Sequence, residues 1–498
     1  MKSYLKISLG AIFVVLVALY VNVSFSNINN IGFLILAAIF GAYMAMNIGA
    51  NDVANNVGPA VGSGALSIGG AIIIAAIFES AGALIAGGDV VKTIKKGIID
   101  PTMFSDPMIF VYAMSGALLS AALWLNLATW LKAPVSTTHS IVGGVMGGGI
   151  AAAGFAIVSW ATMGKIAASW VISPLLGGLI AAGFLYLIKS KIIFSDNKLE
   201  SAKKFVPILI AIMGWAFSTY IIVKGIKKLI KIEFPIALSI GLVIAIAIYF
   251  IVKPIINRQI KDLSEDRKDI NKLFTMPLIF AAILLSFAHG ANDVANAVGP
   301  LAAVFDALSS MQVSAKASIP IWVMLVGGIG ISIGLALFGP RLIKTVGSEI
   351  TELDHVRAFS IMMAASITVV IASQLGLPVS STHIAVGAIF GVGFLREWID
   401  SKGSSEKVLK LRAETDKHKS LKEELKLLKG TQEFETKYRL TQEIKEQKKL
   451  IKNLKDKIKE NYVKRGMVKK IILAWVITVP VAATISATIF FIIRGVAS

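Results

Sequence analysis

The 498-residue chain contains no cysteine, which excludes disulfides, thiolate metal sites and thiol nucleophiles. Charge is scarce: Asp, Glu, Lys and Arg make up 16% of the residues, against 55% hydrophobic. No nucleophile–base pair and no metal-binding or cofactor motif is found, so an enzyme is not expected. Acid is scarcer than base, 30 residues against 50, for a formal charge of +20. This surplus does not indicate nucleic acid. Lys402–Lys470 alone carries 22 basic and 11 acidic residues and supplies 11 of it, as expected for a membrane protein with basic cytoplasmic parts.

What is abundant is apolar sequence of membrane-spanning length. Leu5–Ser24, Ile31–Met46, Ile68–Ile85, Met108–Leu131, Met163–Ile188 and Phe205–Val223 lie in the first part of the chain. Phe234–Val252, Met276–Phe287, Ile319–Phe338, Val356–Leu375 and Ile471–Ile493 follow. About 20 helical residues cross the roughly 30 Å of hydrocarbon, so an all-α polytopic membrane protein with about 11–12 membrane helices is expected. The first stretch has no small-residue cleavage site and is read as a retained helix.

Two motifs occur twice in the same order. "GANDVANNVGP" (Gly49–Pro59) returns as "GANDVANAVGP" (Gly290–Pro300), identical at ten of eleven positions. "PVSTTHSIVGG" (Pro134–Gly144) returns as "PVSSTHIAVGA" (Pro378–Ala388), and the spacing between motifs is 85 residues in one copy and 88 in the other. A weaker third pair is "SWVISP" (Ser169–Pro174) and "AWVITVP" (Ala474–Pro480). His139 to Trp170 spans 31 residues but His383 to Trp475 spans 92, so the second copy carries about 61 extra. These are the lysine-rich stretch, where Leu440, Ile444, Gln447, Ile451, Leu454 and Ile458 follow heptad-like spacing. Leu421, Leu425 and Leu428 make a shorter run, and Gly430–Thr431 reads as a helix stop followed by an N-cap. Ser404–Arg465 is therefore predicted to be a helical hairpin, an antiparallel coiled coil outside the membrane.

The resulting division is 1–30, an extra N-terminal helix; 31–190, the first repeat; 191–274, connecting membrane helices; and 275–400, the second repeat. A coiled-coil insertion (401–468) and the last helix of the second repeat (469–498) complete it. Lys2 and Lys6 place the N-terminus inside, and the insertion is read as cytoplasmic. Its counterpart in the first copy, the uncharged Ser159–Gly164, then lies outside, as does the C-terminus. Corresponding connections on opposite faces make the repeat inverted. The loops Lys189–Lys204 and Lys253–Lys272 agree, whereas Lys224, Lys227, Lys228 and Lys231 would face outward.

Polar clusters at membrane depth require a function or a protein partner. Gly49 and Gly58–Pro59 are expected to break the helix that carries Asp52, and such breaks are tolerated where they line a cavity. Pro134 and Pro378 suit the first turn of new helices with Ser136–Thr138 and Ser380–Thr382 near their N-termini, where hydroxyls and free N–H groups favour anions. The glycines that follow, such as Gly147–Gly149, allow re-entrant hairpins. Neither motif pair contains Lys or Arg. An anion there meets the carboxylates Asp52 and Asp293 without a fixed cation, a conflict that disappears if each carboxylate holds a small hard cation. Such a site binds anion and cation together.

Paired GANDVAN and PVSxTH motifs resemble the PiT family of inorganic phosphate transporters, solute carrier family 20 in animals, over roughly Ile31–Leu395 and the last helix. The resemblance implies cation-coupled phosphate uptake with Na+ or H+, no other cofactor, location in the cell (inner) membrane, and a homodimer. It also implies ligands among Asn51, Asp52, Asn55, Ser136, Thr137 and Thr138, with Asn292, Asp293, Asn296, Ser380, Ser381 and Thr382 as their mates. Glu79 matches a glutamate that the animal members use, while its repeat position falls near Ile331. His139 and His383 are candidate proton relays, and His289, opposite Ile48, is read as structural. Two rival functions remain: a permease for sulfate or another tetrahedral oxyanion, and a phosphate sensor that signals to a cytoplasmic partner through the coiled coil.

Overall fold

The computed structural model describes residues 3–104, 106–131, 135–225, 232–313, 319–349, 353–402, 406–428, 434–462 and 465–497. Pro134, Gly430, Thr431 and the lysines at 227, 228 and 231 lie outside them. The described elements are helical. After α1 (Ser3–Ser24), the first copy comprises α2 (Ile31–Asn51), α3 (Val53–Gly62), α4 (Ile68–Ala86), α5 (Gly88–Lys96), α6 (Pro107–Trp130), α7 (Thr137–Ala153) and α8 (Trp160–Ile188). α9 (Lys198–Lys224), α10 (Phe234–Gln259) and the short α11 (Arg267–Lys272) connect the copies. The second copy runs through α12 (Thr275–Asp293), α13 (Ala295–Ser310), α14 (Ile321–Phe338), α15 (Pro340–Glu349), α16 (His355–Gln374) and α17 (Ser381–Lys402). The inserted pair α18 (Glu406–Leu427) and α19 (Phe434–Tyr462) follows, then α20 (Arg465–Ala497).

Among the described residues, eleven helices are long and apolar enough to cross a membrane. Local chemistry sets several of their starts. The Asp106 carboxylate accepts from the Met108 amide at 2.8 Å with Pro107 in the first turn, and Asp354 accepts from the Arg357 amide at 2.9 Å to open α16. Large apolar side chains cover the outside as well as the core: Leu16, Val243 and Phe491 are 58%, 66% and 56% exposed. A surface of that kind is stable in lipid and not in water. The chain is a multi-pass membrane protein.

The two copies are interlaced. α2 packs on α14 and α4 on α12; likewise α7 packs on α20 and α17 on α8. The contacts occur in equivalent pairs. A Cβ at Gly49 would lie 1.9 Å from the Ile331 carbonyl oxygen, and one at Gly290 would lie 2.1 Å from that of Glu79. Glycine is required at both places because helix backbones touch there. This differs from the sequence expectation that Gly49 and Gly58–Pro59 break the helix: Gly49 lies within α2, and Gly58 and Pro59 lie within α3. The interruption falls instead at single residues, Asp52 between α2 and α3 and Val294 between α12 and α13, both still with right-handed helical dihedrals.

α18 and α19 pack against each other, and the Gln447 side-chain amide donates to the Glu414 carboxylate at 2.5 Å. Leu440, Gln447 and Ile451, three of the heptad positions, are buried at 2%, 8% and 9% exposure.

Candidate ion-binding site

The repeated motifs converge in one buried cluster at the α2–α3 and α12–α13 junctions, against the first turns of α7 and α17. Every residue of the first two motif pairs described below is at most 5% exposed. Helix capping explains part of the arrangement. The Ser136 hydroxyl accepts from the His139 amide at 3.1 Å, and the Ser380 hydroxyl accepts from the His383 amide at 3.2 Å. These serines hold the helix starts, leaving the next two hydroxyls of each motif to point into the cluster.

Those hydroxyls bind the aspartates, partly across the copies. Thr137 of the first copy and Thr382 of the second both donate to the Asp52 carboxylate. Ser381 donates to Asp293 at 2.6 Å. The Asn55 amide donates to the Thr382 hydroxyl at 2.8 Å, and its mate Asn296 donates to the Thr138 hydroxyl at 3.3 Å. Thr138 passes its own proton to the Val379 carbonyl at 2.8 Å. Asn51 and Asn292 are used alike, donating to Thr129 at 2.9 Å and to Ser373 at 3.0 Å.

The charged groups that face Asp52 are Asp293 and His289, and ligand atoms of these three residues lie within 4.8 Å of one another. His289 Nε2 is 2.6 Å from an Asp293 oxygen, and Nδ1 is 2.6 Å from a Glu79 oxygen. Asn56 donates to the other Glu79 oxygen at 2.9 Å. Here the copies differ. Gly290 rests on Glu79 and Gly49 on Ile331, which makes Ile331 the counterpart of Glu79 and Ile48 that of His289. The contact of α4 with α12 thus carries a buried Glu79–His289–Asp293 chain, with Glu79 from the first copy and the other two from the second. The equivalent contact of α14 with α2 has two isoleucines, both fully buried. Sequence reasoning misses His289 as a site residue; its place one helical turn before Asp293 is the signal that could have found it.

Four buried amide oxygens, on Asn55, Asn56, Asn292 and Asn296, and one oxygen of Asp293 have no hydrogen-bond partner. Uncompensated oxygen in the interior is costly, and oxygen from carboxylates and amides is the donor set that hard cations prefer. The residues present therefore fit a small cation better than any group that only accepts hydrogen bonds.

The histidines of the second motif lie beside this cluster. The His139 and His383 ring centroids are 4.4 Å apart. His139 stacks on Trp170 at 3.6 Å and His383 on Trp475 at 3.5 Å. The weak third motif pair supplies these two tryptophans. His139 also shares a 2.7 Å hydrogen bond with Ser136.

Residues 48–486 match the Phosphate transporter family. A candidate phosphate permease of Helicobacter pylori strain J99 is 49% identical over 511 aligned residues, covering 98% of this chain and 95% of its own length. Another from Pyrococcus abyssi is 39% identical and covers 73% of this chain and 89% of its own length. A solved structure of a sodium-dependent phosphate transporter superposes with a TM-score of 0.76 at 33% identity, covering 93% of this chain and 99% of that one. With its duplicated motifs meeting in one buried cluster, this chain is a member of the phosphate transporter family, a family of transporters and not of enzymes.

Proposed function

We propose that the protein is a secondary active transporter that imports inorganic phosphate by symport with a cation, Na+ or H+, across the cell membrane. One observation carries this reading: two aspartates from equivalent motif copies share a cluster of hydroxyls and orphaned amide oxygens. The sodium dependence of the solved relative adds weight to Na+. In the proposed orientation the N-terminus and the α18–α19 hairpin are cytoplasmic and the C-terminus is outside, so the repeats are inverted about the site.

The hydrogen bonds suggest how the ions depend on each other. A hydroxyl has one proton, and those of Thr137, Thr382 and Ser381 are given to the aspartates. A hydroxyl committed in this way cannot donate to an anion. A cation on Asp52 or Asp293 competes for the same lone pairs, releases the hydroxyls and cancels the negative charge that repels phosphate. Cation binding thus prepares the anion site, and each ion alone binds weakly. Phosphate near neutral pH still carries a proton to donate to an acceptor-rich site, whereas sulfate does not.

Labelled phosphate uptake into proteoliposomes should follow an imposed sodium gradient or an imposed proton gradient, and excess sulfate should not compete. Equal inhibition by sulfate selects the oxyanion-permease alternative. Binding without uptake under either gradient selects a sensor.

The paired hydroxyls should behave as a pair. A hydrogen bond to a charged group contributes about 1.5–3 kcal/mol. Thr137→Ala and Ser381→Ala should each lower apparent phosphate affinity at fixed cation about ten- to a hundredfold. A response confined to one variant means that the two copies are not used equivalently.

The insertion should be dispensable, because the first copy joins its corresponding helices through a short connection. Replacing residues 404–465 with a short Gly/Ser linker should keep uptake within a few-fold. A correctly inserted deletion that takes up nothing makes the hairpin part of the transport cycle.

A further inference from the structure

The hairpin of α9 and α10 carries two adjoining depressions that the ion site does not use. One is a wholly apolar groove of about 450 Å³ lined by Ile212, Trp215, Leu242, Ile246 and Phe250, among others. The second, about 650 Å³, gathers Lys203, Lys204 and Lys253 with Asn197 and Asn257. Tyr249 lines both, so the groove and the basic cavity adjoin at this side chain. Both volumes fall in the range of ligand sites, about 300–1,000 Å³.

We propose that this composite site binds one anionic phospholipid, with its phosphodiester among the three lysines and an acyl chain along the groove. The lysines stand where apolar sequence gives way to polar. Lys203 and Lys204 immediately precede the stretch Phe205–Val223, and Lys253 immediately follows Phe234–Val252. That is headgroup level for a hairpin crossing the bilayer. Glu200 is the one carboxylate lining the cavity, and it pairs with Lys203. Lys204 and Lys253 instead lie over aromatic rings, 5.6 Å from the centre of Phe205 and 5.4 Å from that of Tyr249. Their charge is available to a ligand.

Other occupants fit less well. Free phosphate has no use for the apolar groove. A zwitterionic lipid brings its own ammonium group towards three lysines. A second copy covering the apolar groove gives no account of the three lysines gathered beside it.

The test uses the intact protein. Purified from membranes and examined by native mass spectrometry, it should retain phosphatidylglycerol. In mixed nanodiscs it should enrich phosphatidylglycerol over phosphatidylcholine about tenfold, and inorganic phosphate at millimolar concentration should not reduce the enrichment. The variant K203Q/K204Q/K253Q should lose the enrichment while still taking up phosphate in proteoliposomes, which shows that it is folded. Ala211 also lines the groove, and Ala211→Trp, which fills it without altering charge, should also weaken retention. The proposal is overturned if the wild type shows no preference, if the triple variant keeps it, or if inorganic phosphate displaces the lipid. It is equally overturned if Ile246→Cys, introduced into this cysteine-free chain, forms an efficient disulfide between copies, since the groove is then a protein interface.

Discussion

Replacing either Asp52 or Asp293 by asparagine is expected to abolish cation-driven phosphate uptake while the protein reaches the membrane in normal amounts. The substitution keeps size and one accepting oxygen, so the fold around Thr137, Thr382 and Ser381 should survive, but the charge proposed to hold the cation is removed. A unit charge about 4 Å away is worth about 4 kcal/mol at an effective dielectric constant of about 20. Cation affinity should therefore fall about a thousandfold. If the aspartates acted mainly by repelling phosphate, their neutralisation would instead tighten phosphate binding. Phosphate binding measured with and without sodium in each variant separates the two. Full cation dependence retained in both variants contradicts the mechanism.

The second large effect concerns the asymmetric pair. His289→Ile leaves Glu79 and Asp293 buried beside an apolar side chain, without the imidazole that both contact at 2.6 Å. Leaving a buried polar or charged group without its hydrogen-bond partner costs about 1–3 kcal/mol or more, and two carboxyl groups lose theirs, so the single variant should unfold at lower temperature in detergent. The double variant Glu79→Ile/His289→Ile reproduces the isoleucine pair, Ile331 and Ile48, of the equivalent contact between α14 and α2, where both are fully buried. It should recover most of the lost stability. A double variant no more stable than the single one shows that the pair is not a self-contained unit. Uptake by the stable double variant, at more than about a tenth of the wild-type rate, removes Glu79 from the transport chemistry.

Much of this is legible in the sequence because duplication records function without structure. Two motif copies identify the aspartates, the asparagines and the hydroxyls, and apolar run length locates the spanning helices. The equivalence of Glu79 with Ile331 can be read from spacing alone, and it is the pair whose backbones meet the two motif glycines. Three features are not legible. Gly49 looks like a breaker in one dimension and is a contact in three, since only the folded chain shows Ile331 against it. The assignment of Thr382 to Asp52, across copies, depends on how the halves interlock. His289 is easily discounted because its repeat mate is isoleucine, yet its partners come from different helices, α4 and its own α12.

The interlocking also has a consequence for how the protein is made. Asp52 and Thr382 are 330 residues apart, and Asn55 is 327 from the same threonine. At about 5–20 residues per second of synthesis, the threonine leaves the ribosome roughly 15–65 s after the aspartate. For most of that interval α2 lacks its neighbour α14, and throughout it Asp52 lacks one of its two hydroxyl donors. The first half is therefore expected to be held at the insertion machinery, because its carboxylate is only partly satisfied and bilayer lipid tolerates such a group poorly. Depleting a membrane insertase should strand the chain at this stage, and a first half synthesised alone should be degraded unless the second half is supplied with it.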